Sequence, residues 1–328
     1  MKHKGPDLVI IVPTLNERDN IIPLVEELDS VLAGIDWEVI FVDDDSRDGT
    51  AELVRELSRT DHRVRCLQRL NRRGLSSGCI EGMLASSAPY IAVMDGDLQH
   101  DPAILPTMKA RLESSGADIA VGSRFTEGGG VGGWDSGRLA ISRLAKRIGR
   151  PLLPDGLADP MSGFFMIKRT VLEEVVRSLS GLGFKLLVDI FASATRELRF
   201  VEVPYEFRQR KAGASKLDSV VAWEYLMLLA DKLVGRFIPV RFLAFSAVGA
   251  MGLFVHLAVL TAVYALGGAS FVVGQATATV LAMIFNFSIN NVLTYRDRRR
   301  TGWRWLSGLL SFMLACGVGA LANVGIAA

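Results

Sequence analysis

Beyond Pro239 the chain carries three apolar stretches, at about 242–266, 271–293 and 305–328. Each is long enough to cross a bilayer, which takes roughly 20 apolar residues. Hydrocarbon offers no water to a bare peptide group, so a spanning segment must satisfy its backbone internally, and long unbroken apolar runs do so as helices. The remainder of the chain cannot share that environment. Before about Gly235, charged and apolar positions mix as they do in a globular protein. The excess behind the overall figures, 50% hydrophobic residues and a mean hydropathy of +0.30, therefore lies in the last third. The sequence predicts a water-facing domain followed by membrane helices.

The flanks of those stretches set an orientation. The loop from Ala265 to Ser270 has no charge, whereas Tyr295 to Arg304 is strongly basic, and Arg236 and Arg241 flank the first span. Basic loops stay on the cytoplasmic side, which puts the large N-terminal domain and the Arg298–Arg300 loop there, with Trp303 and Trp305 in the interfacial aromatic belt. Asn286 and Asn290 lie four apart on one helical face, with His256, Gln275 and Asn291 elsewhere in the spans. They read either as a polar track for a lipid head group or as interhelical hydrogen bonds of about 1 kcal/mol each, the more economical account. The third stretch runs to Ala328 with no flanking charge, which leaves room for a further span.

A net charge of +2 is too small to argue for nucleic acid, and no zinc-knuckle or basic-helix pattern is present. Cys66, Cys79 and Cys316 are scattered without metal-ligand spacing and read as thiols in a reducing compartment. Leu8 to Val12 is a short strand-like run before Pro13, not the core of a secretory signal.

In the first half, apolar runs alternate with segments of helical period. Strands are expected at 7–13, 37–43, 64–69, 90–94 and 118–122, and helices at 20–32, 50–57 and 77–85. Such alternation implies an α/β domain with a mostly parallel sheet and helices on both faces. Open sheets of this kind bind ligands outside the carboxyl ends of their strands. There the chain places Pro13 to Glu17, then Asp43-Asp44-Asp45, then the basic, glycine-rich Leu70 to Gly78, and finally Asp95-Gly96-Asp97-Leu98-Gln99-His100. Paired carboxylates that close repel unless a cation sits with them. A hard divalent ion sharing its shell with a diphosphate answers both needs. Ser46 to Thr50 reads as a turn and helix cap, whereas three adjacent carboxylates at a strand end call for partners.

These segments occur in the order and spacing of one family. Val12 to Glu17, Val42 to Ser46 and Asp95 to His100 resemble the inverting glycosyltransferases that load polyprenyl phosphates, closest to them the dolichol-phosphate mannose synthases. Further matches are Gly122 to Phe125, Gly128 to Val131 with Trp134, Asp159 to Phe165, Gly183 to Lys185, and Phe207 to Leu217. The membrane segment resembles the GtrA-type domain, which usually has four spans. The resemblance implies a Rossmann-like GT-A domain over 1–217, amphipathic interface helices over 218–237, and a transmembrane domain with about three visible spans over 238–328. By the same resemblance, Pro13, Glu17 and Asp44 line the nucleoside pocket, and Asp95 sits near the ribose and the metal. Asp95, Asp97 and Gln99 hold Mg²⁺ or Mn²⁺ on the donor diphosphate. Arg124, Arg138, Ser142 and Arg210 bind the acceptor phosphate, with Lys216 nearby, so that Asp97, Arg124 and Arg138 carry the chemistry. Gly96 stands where the family usually has Ala, and Asp189 where Glu is also common.

The implied function is transfer of mannose from GDP-mannose to a dolichol-type phosphate by a membrane-bound enzyme. A phosphate nucleophile is already ionised near pH 7, so the reaction needs cationic positioning more than a general base. UDP-glucose is the rival donor. The alternative from another class is a lipid-linked sugar translocator whose soluble domain only binds. A polysaccharide synthase would add a processive acceptor motif and more spans. Basic residues interleaved with apolar ones in 134–153, and the apolar 218–237, are candidates to lie in the bilayer interface.

Overall fold

Side chains of period two build the sheet, and their alternation divides its two faces. In the computed structural model, residues 5–131, 147–208, 219–235, 238–295 and 299–327 are described. Two compact units divide the chain, Met1–Lys232 and Leu233–Ala328.

The first unit is a seven-stranded sheet with strand order β3-β2-β1-β4-β6-β5-β7. The strands are β1 (Leu8–Thr14), β2 (Trp37–Asp43), β3 (Val64–Gln68), β4 (Tyr90–Val93), β5 (Ile119–Ser123), β6 (Phe165–Lys168) and β7 (Phe200–Pro204). Only β6 runs against its neighbours, pairing antiparallel with β4 and β5. The intervening helices are α1 (Arg18–Val31), α2 (Thr50–Leu57), α3 (Leu75–Leu84), α4 (Leu105–Ser114), α5 (Arg169–Val175) and α6 (Leu186–Ser193). Leu8, Ile10 and Val12 of β1 pack with Leu24 of α1, Val54 of α2 and Met108 of α4 on one face. Val9 and Ile11 meet Met83 of α3, Leu172 of α5 and Leu187 of α6 on the other. Each fully buried side chain of this size contributes about 1.5–3 kcal/mol, so the alternation fixes the register against slippage. Helix α3 lies tight against the sheet at Gly82, which has no side chain. A Cβ there would lie 2.7 Å from Val42 and 2.8 Å from Ile11.

The expected strands and helices lie within a few residues of those found, and β6, β7, α4, α5 and α6 complete the sheet and its cover. A further helix, α7 (Ser219–Val234), closes this unit, its buried Tyr225, Leu228 and Leu229 packing on Met161 and Val188. The stretch expected in the interface therefore also presents one face to protein, while Leu226 is exposed. The 134–153 stretch lies largely outside the described residues.

In the second unit, α8 (Val240–Leu260) continues through a π-helical turn, Thr261–Leu266, and is followed by α9 (Phe271–Val292) and α10 (Trp303–Ala327). All three expected spans are thus helical. Among the described residues, Val240–Leu266 and Phe271–Val292 are long and apolar enough to cross a membrane. Glycines let the helices approach, as is usual without a hydrophobic drive between them. Asn286 lies over Gly252, where a Cβ would fall 2.1 Å from its Oδ1. His256 Nε2 meets Gln275 Oε1 at 3.2 Å, Asn290 Nδ2 donates to Asn286 O (3.0 Å), and Thr294 donates to Asn290 (2.7 Å). Asn291 exchanges two bonds with the Arg300 backbone and closes the basic loop. His256 and Gln275 thus bond from helix to helix and Asn291 closes the loop, whereas Asn290 and Thr294 bond along α9 and its end, and the buried Asn286 Oδ1 has no hydrogen-bond partner among the described residues.

Candidate active site

Strands β2 and β1 run parallel with β4, and the strand order reverses between β1 and β4. Their carboxyl ends bound the crevice at which sheets of this kind bind ligands. Pro13 pairs with Val42 and Thr14 with Asp43 in register, so the first two loops leave the sheet side by side.

Those loops are tied to each other. Asn16 and Asp45 take left-handed backbone, at φ 56° and 62°, as short polar side chains tolerate. Asn16 N–H donates to Ser46 Oγ (2.8 Å), and Arg47 N–H donates back to Asn16 Oδ1 (2.9 Å). Asp48 accepts from Thr50 N–H (3.0 Å), Thr50 Oγ1 (2.6 Å) and Arg18 N–H (3.1 Å), the turn expected of Ser46 to Thr50, while the N-cap of α2 is Gly49 and carries no side-chain cap. Glu17 precedes α1 and accepts from Asn20 Nδ2 at 2.7 Å.

The adjacent carboxylates have partners within the chain. Asp43 accepts from Ser46 N–H (3.0 Å) and from the Ser46 and Thr14 hydroxyls. Asp44 is held through both oxygens, by Arg69 Nη1 and by Gly74 N–H, each at 2.7 Å. Arg69 is itself buried and also donates to Ser77 Oγ. Burial pushes the Asp44 carboxyl above its usual range, outweighing the Gly74 N–H and the Arg69 charge, which pull the other way. Asp44 thus joins β2 to the glycine-rich loop before α3. Arg69 was invisible as its partner in the sequence, where 25 residues separate them.

The Asp95–His100 loop is pinned from below. Asp95 N–H donates to His100 Nδ1 (3.0 Å), which leaves Nε2 to carry the proton of the neutral ring, 3.8 Å from Asp95 Oδ2. The imidazole stacks on Phe164 with centroids 5.1 Å apart and meets the edges of Tyr205 and Phe207. Burial pulls its pKa below the usual imidazole range. Leu98 sits between the acids and Gln99 at φ 62°, with its side chain in the core. A left-handed leucine costs roughly 1–2 kcal/mol, which its burial offsets. That turn sends Leu98 inward and leaves Asp97 and Gln99 together: Gln99 N–H donates to Asp97 Oδ1 (3.2 Å). Gln99 Nε2 donates to Arg208 O (3.1 Å), so its amide oxygen is the end turned from that contact. Asp97 is buried, while the Asp95 side chain is 41% exposed. A Cβ on Gly96 would stand 3.1 Å from Val12 Cγ1, tight but tolerable with a small shift.

Asp95, Asp97 and the Gln99 amide form a donor set of hard oxygens suited to Mg²⁺ or Mn²⁺. Among the described residues no group of three or more His, Cys, Asp or Glu converges. An ion held here would complete its shell from outside these side chains, with water or phosphate oxygens, which is how Mg²⁺ is commonly held.

Arg124 leaves the end of β5 and forks onto Asp159. Its Nε and Nη2 reach Asp159 Oδ2 and Oδ1 at 2.7 and 2.8 Å, and its own N–H donates to Oδ2 at 3.1 Å. Burial works against the guanidinium charge, but the Asp159 carboxylate prevails and raises its pKa. Glu202 of β7 accepts the Ala158 and Asp159 N–H groups, and Ser162 Oγ donates to Gly122 O (2.7 Å). Arg208 bridges Glu27 and Asp101, both at 2.8 Å. The structure therefore gathers Pro13, Glu17, Asp44, Asp95, Asp97, Gln99 and Arg124 at the strand-end rim. Arg138, Ser142, Arg210 and Lys216 lie outside the described residues. In the sequence Asp159 stands in a family motif with nothing to mark it as the partner of Arg124, and His100 and Leu98 carry no role of their own there. Their signal was their place in a single short loop.

Comparison with known proteins adds to this geometry. Residues 9–176 match the glycosyl transferase family 2 and residues 244–328 the GtrA/DPMS transmembrane domain. A dolichol-phosphate mannosyltransferase of Pyrococcus furiosus is 36% identical over 96% of this chain and 88% of its own length. One from Saccharomyces cerevisiae is 36% identical over 70% of this chain and 87% of its own. Among solved structures, glucosyl-3-phosphoglycerate synthase from Mycobacterium tuberculosis, in complex with Mn²⁺, UDP-glucose and phosphoglyceric acid, superimposes with a TM-score of 0.54 at 16% identity. That match covers 70% of this chain and 80% of that one, and it shows the fold.

Proposed function

Because this chain belongs to glycosyl transferase family 2 and carries a GtrA/DPMS transmembrane domain, we propose that it transfers mannose from GDP-mannose to a polyprenyl phosphate of dolichol type. The relatives named dolichol-phosphate mannosyltransferase, one of them spanning nearly the whole chain, support both sugar and acceptor. The observation that carries the chemistry is the pinned loop, with Asp95, Asp97 and the Gln99 amide at the β1/β4 crevice. These residues would hold Mg²⁺ or Mn²⁺, which would supply Lewis-acid and charge stabilisation to a departing nucleoside diphosphate.

The remaining work falls to the chain's own residues. Pro13, Glu17 and the Asp44–Arg69–Gly74 junction shape the nucleoside side of the crevice. Asp159 holds the Arg124 fork at the end of β5, and Arg124 meets the acceptor phosphate together with Arg138, Ser142, Arg210 and Lys216. Arg138 and Arg210 suit this because a planar guanidinium fork grips phosphate oxygens in pairs, while the Arg124 fork on Asp159 leaves that residue a positive charge fixed in place. A phosphate oxygen attacks in line, with inversion at the sugar, and brings no proton that must be removed. The buried His100 agrees with that economy: its Nδ1 is committed to a backbone N–H, so it holds the loop and takes no proton from substrate. The Arg-rich loop between α9 and α10 supports a cytoplasmic catalytic domain. As a division of labour we assign catalysis to 1–217, interface helices to 218–237 and the membrane domain to 238–328.

The test is Mn²⁺-dependent transfer from radiolabelled GDP-mannose, in parallel with UDP-glucose, to a polyprenyl phosphate in detergent. Label entering the lipid phase from GDP-mannose alone is the expected result. Label from UDP-glucose alone would reassign the sugar. No transfer from either donor, with nucleotide binding intact, would favour a binding role.

A further inference from the structure

The Lys232 side chain, near the end of α7, is 8% exposed, and its ammonium has three acceptors: Asp189 Oδ1 at 2.6 Å, Ser178 O at 2.7 Å and Ser193 Oγ at 2.8 Å. Asp189, on α6, is fully buried. Its other oxygen accepts from Ser180 N–H (2.9 Å), Ser180 Oγ (2.8 Å) and Gly181 N–H (3.3 Å). One carboxylate therefore ties the loop before α6 to the lysine of α7.

That loop touches the site on two sides. Gly183 O accepts from Ser76 N–H (3.2 Å) at the start of α3, next to Gly74, whose N–H holds Asp44. Lys185 Nζ donates to Met161 O (2.9 Å), within the segment that carries Asp159 to Arg124. Met161 in turn packs on Tyr225, Leu228 and Leu229 of α7. An ammonium and a carboxylate buried this completely stabilise a fold little better than apolar residues of equal size would. Their effect is to fix one arrangement of what they connect.

The geometry points to Lys232 as a positioning residue: through Asp189 it makes the order of the 180–185 loop, and with it both walls of the crevice, depend on the docking of α7. Helix α7 leads within five residues of sequence into the first membrane span, so the enzyme is set for turnover only when its membrane-proximal helix is seated. The kinetic part rests on the function proposed above.

The experiment uses the full chain in detergent and compares wild type with Lys232→Met, Asp189→Asn and the double variant. Hydrogen exchange is followed by mass spectrometry beside transfer kinetics from GDP-mannose. Lys232→Met should speed exchange in 178–187 and 74–78 while β1 and β2 keep their protection, and it should lower kcat/KM roughly 2- to 30-fold. The double variant, with no unpaired carboxylate left inside, should recover part of both. Exchange that rises evenly over the first unit would overturn the proposal, since the pair would then be simple fold stabilisation. So would loosened loops with unchanged kinetics. If the donor were misassigned, wild type would itself show no turnover while the exchange pattern stayed readable, which separates the two failures.

Discussion

Removing Asp159 should destabilise the catalytic unit far more than any exposed ion pair would. Its carboxylate accepts three hydrogen bonds from Arg124, and the two side chains are 0% and 8% exposed. Deleting one partner of such a pair leaves an uncompensated buried charge, at a cost of about 3–5 kcal/mol. For a unit of this size each kcal/mol moves the melting midpoint by roughly 2–4 °C, so Asp159→Leu should lower it by about 6–20 °C. Arg124→Met should fall in the same range, because Asp159 would keep only a backbone N–H from Arg124. The double variant should melt closer to wild type than either single one, since neither charge is then stranded. Midpoints are read in one detergent at one scan rate. If the double variant loses the sum of the two single losses, the pair is not coupled as described. The folded double variant then isolates catalysis: a KM for polyprenyl phosphate raised well beyond any rise in the KM for the donor would be the mark of Arg124 at the acceptor.

Other expected outcomes follow from single contacts. Asp97→Ala should reduce transfer by roughly 10²–10³-fold or more while the melting midpoint barely moves, since losing the Gln99 N–H bond is offset by removing one of two crowded carboxylates; retained turnover in a transfer assay would refute the assignment. Gly96→Ala should keep activity within about twofold, because its Cβ meets only Val12 at 3.1 Å. Gly129→Ala should destabilise by about 1–3 kcal/mol, because its Cβ would press on the Ser123 carbonyl at 2.7 Å, and paired melting curves decide between the two. The Arg63 fork holds the Asp61 carboxyl below its usual 3.8. Asp118 also lies below that value, because the bonds from Arg196 and Arg199 N–H together outweigh the upward push of burial. Both contribute stability that is fully present above the unfolded pKa and is lost as pH falls through the lower folded one. The melting midpoint should thus fall below about pH 4, less steeply in Asp61→Asn, and a wild-type slope in that variant would refute it.

What the sequence made legible was whatever depends on neighbours along the chain. The apolar runs beyond Pro239 became α8, α9 and α10, and Ser46–Thr50 became the Asp48 turn before α2. Carboxylates after β1, β2 and β4 came to one rim because parallel strands bring their ends together. Illegible were pairings made only by folding. Arg69 finds Asp44 across 25 residues, Arg124 finds Asp159 across 35, and Lys232 reaches Asp189 from another helix. Leu98 gave no sign of its left-handed backbone, because leucine has no local preference for it and only the pocket beneath compels it.

The backward run of β6 has a consequence for how this enzyme can change. A reversed strand delivers its entering loop to the rim where its parallel neighbours deliver their leaving loops, and β6 lies between β4 and β5. Its entering loop touches both sides at once: Asp159 grips Arg124, while a Cβ on Gly163 would lie 3.6 Å from Asp95 Oδ2. An alteration there cannot be confined to one substrate, because the two sides of the crevice share that piece of chain. Among the described residues the loops after β1, β2 and β3 bond to one another, Asn16 to Ser46 and Asp44 to Gly74. Variation that exchanges one nucleotide sugar for another has room in those three loops, whereas 159–163 is expected to resist it.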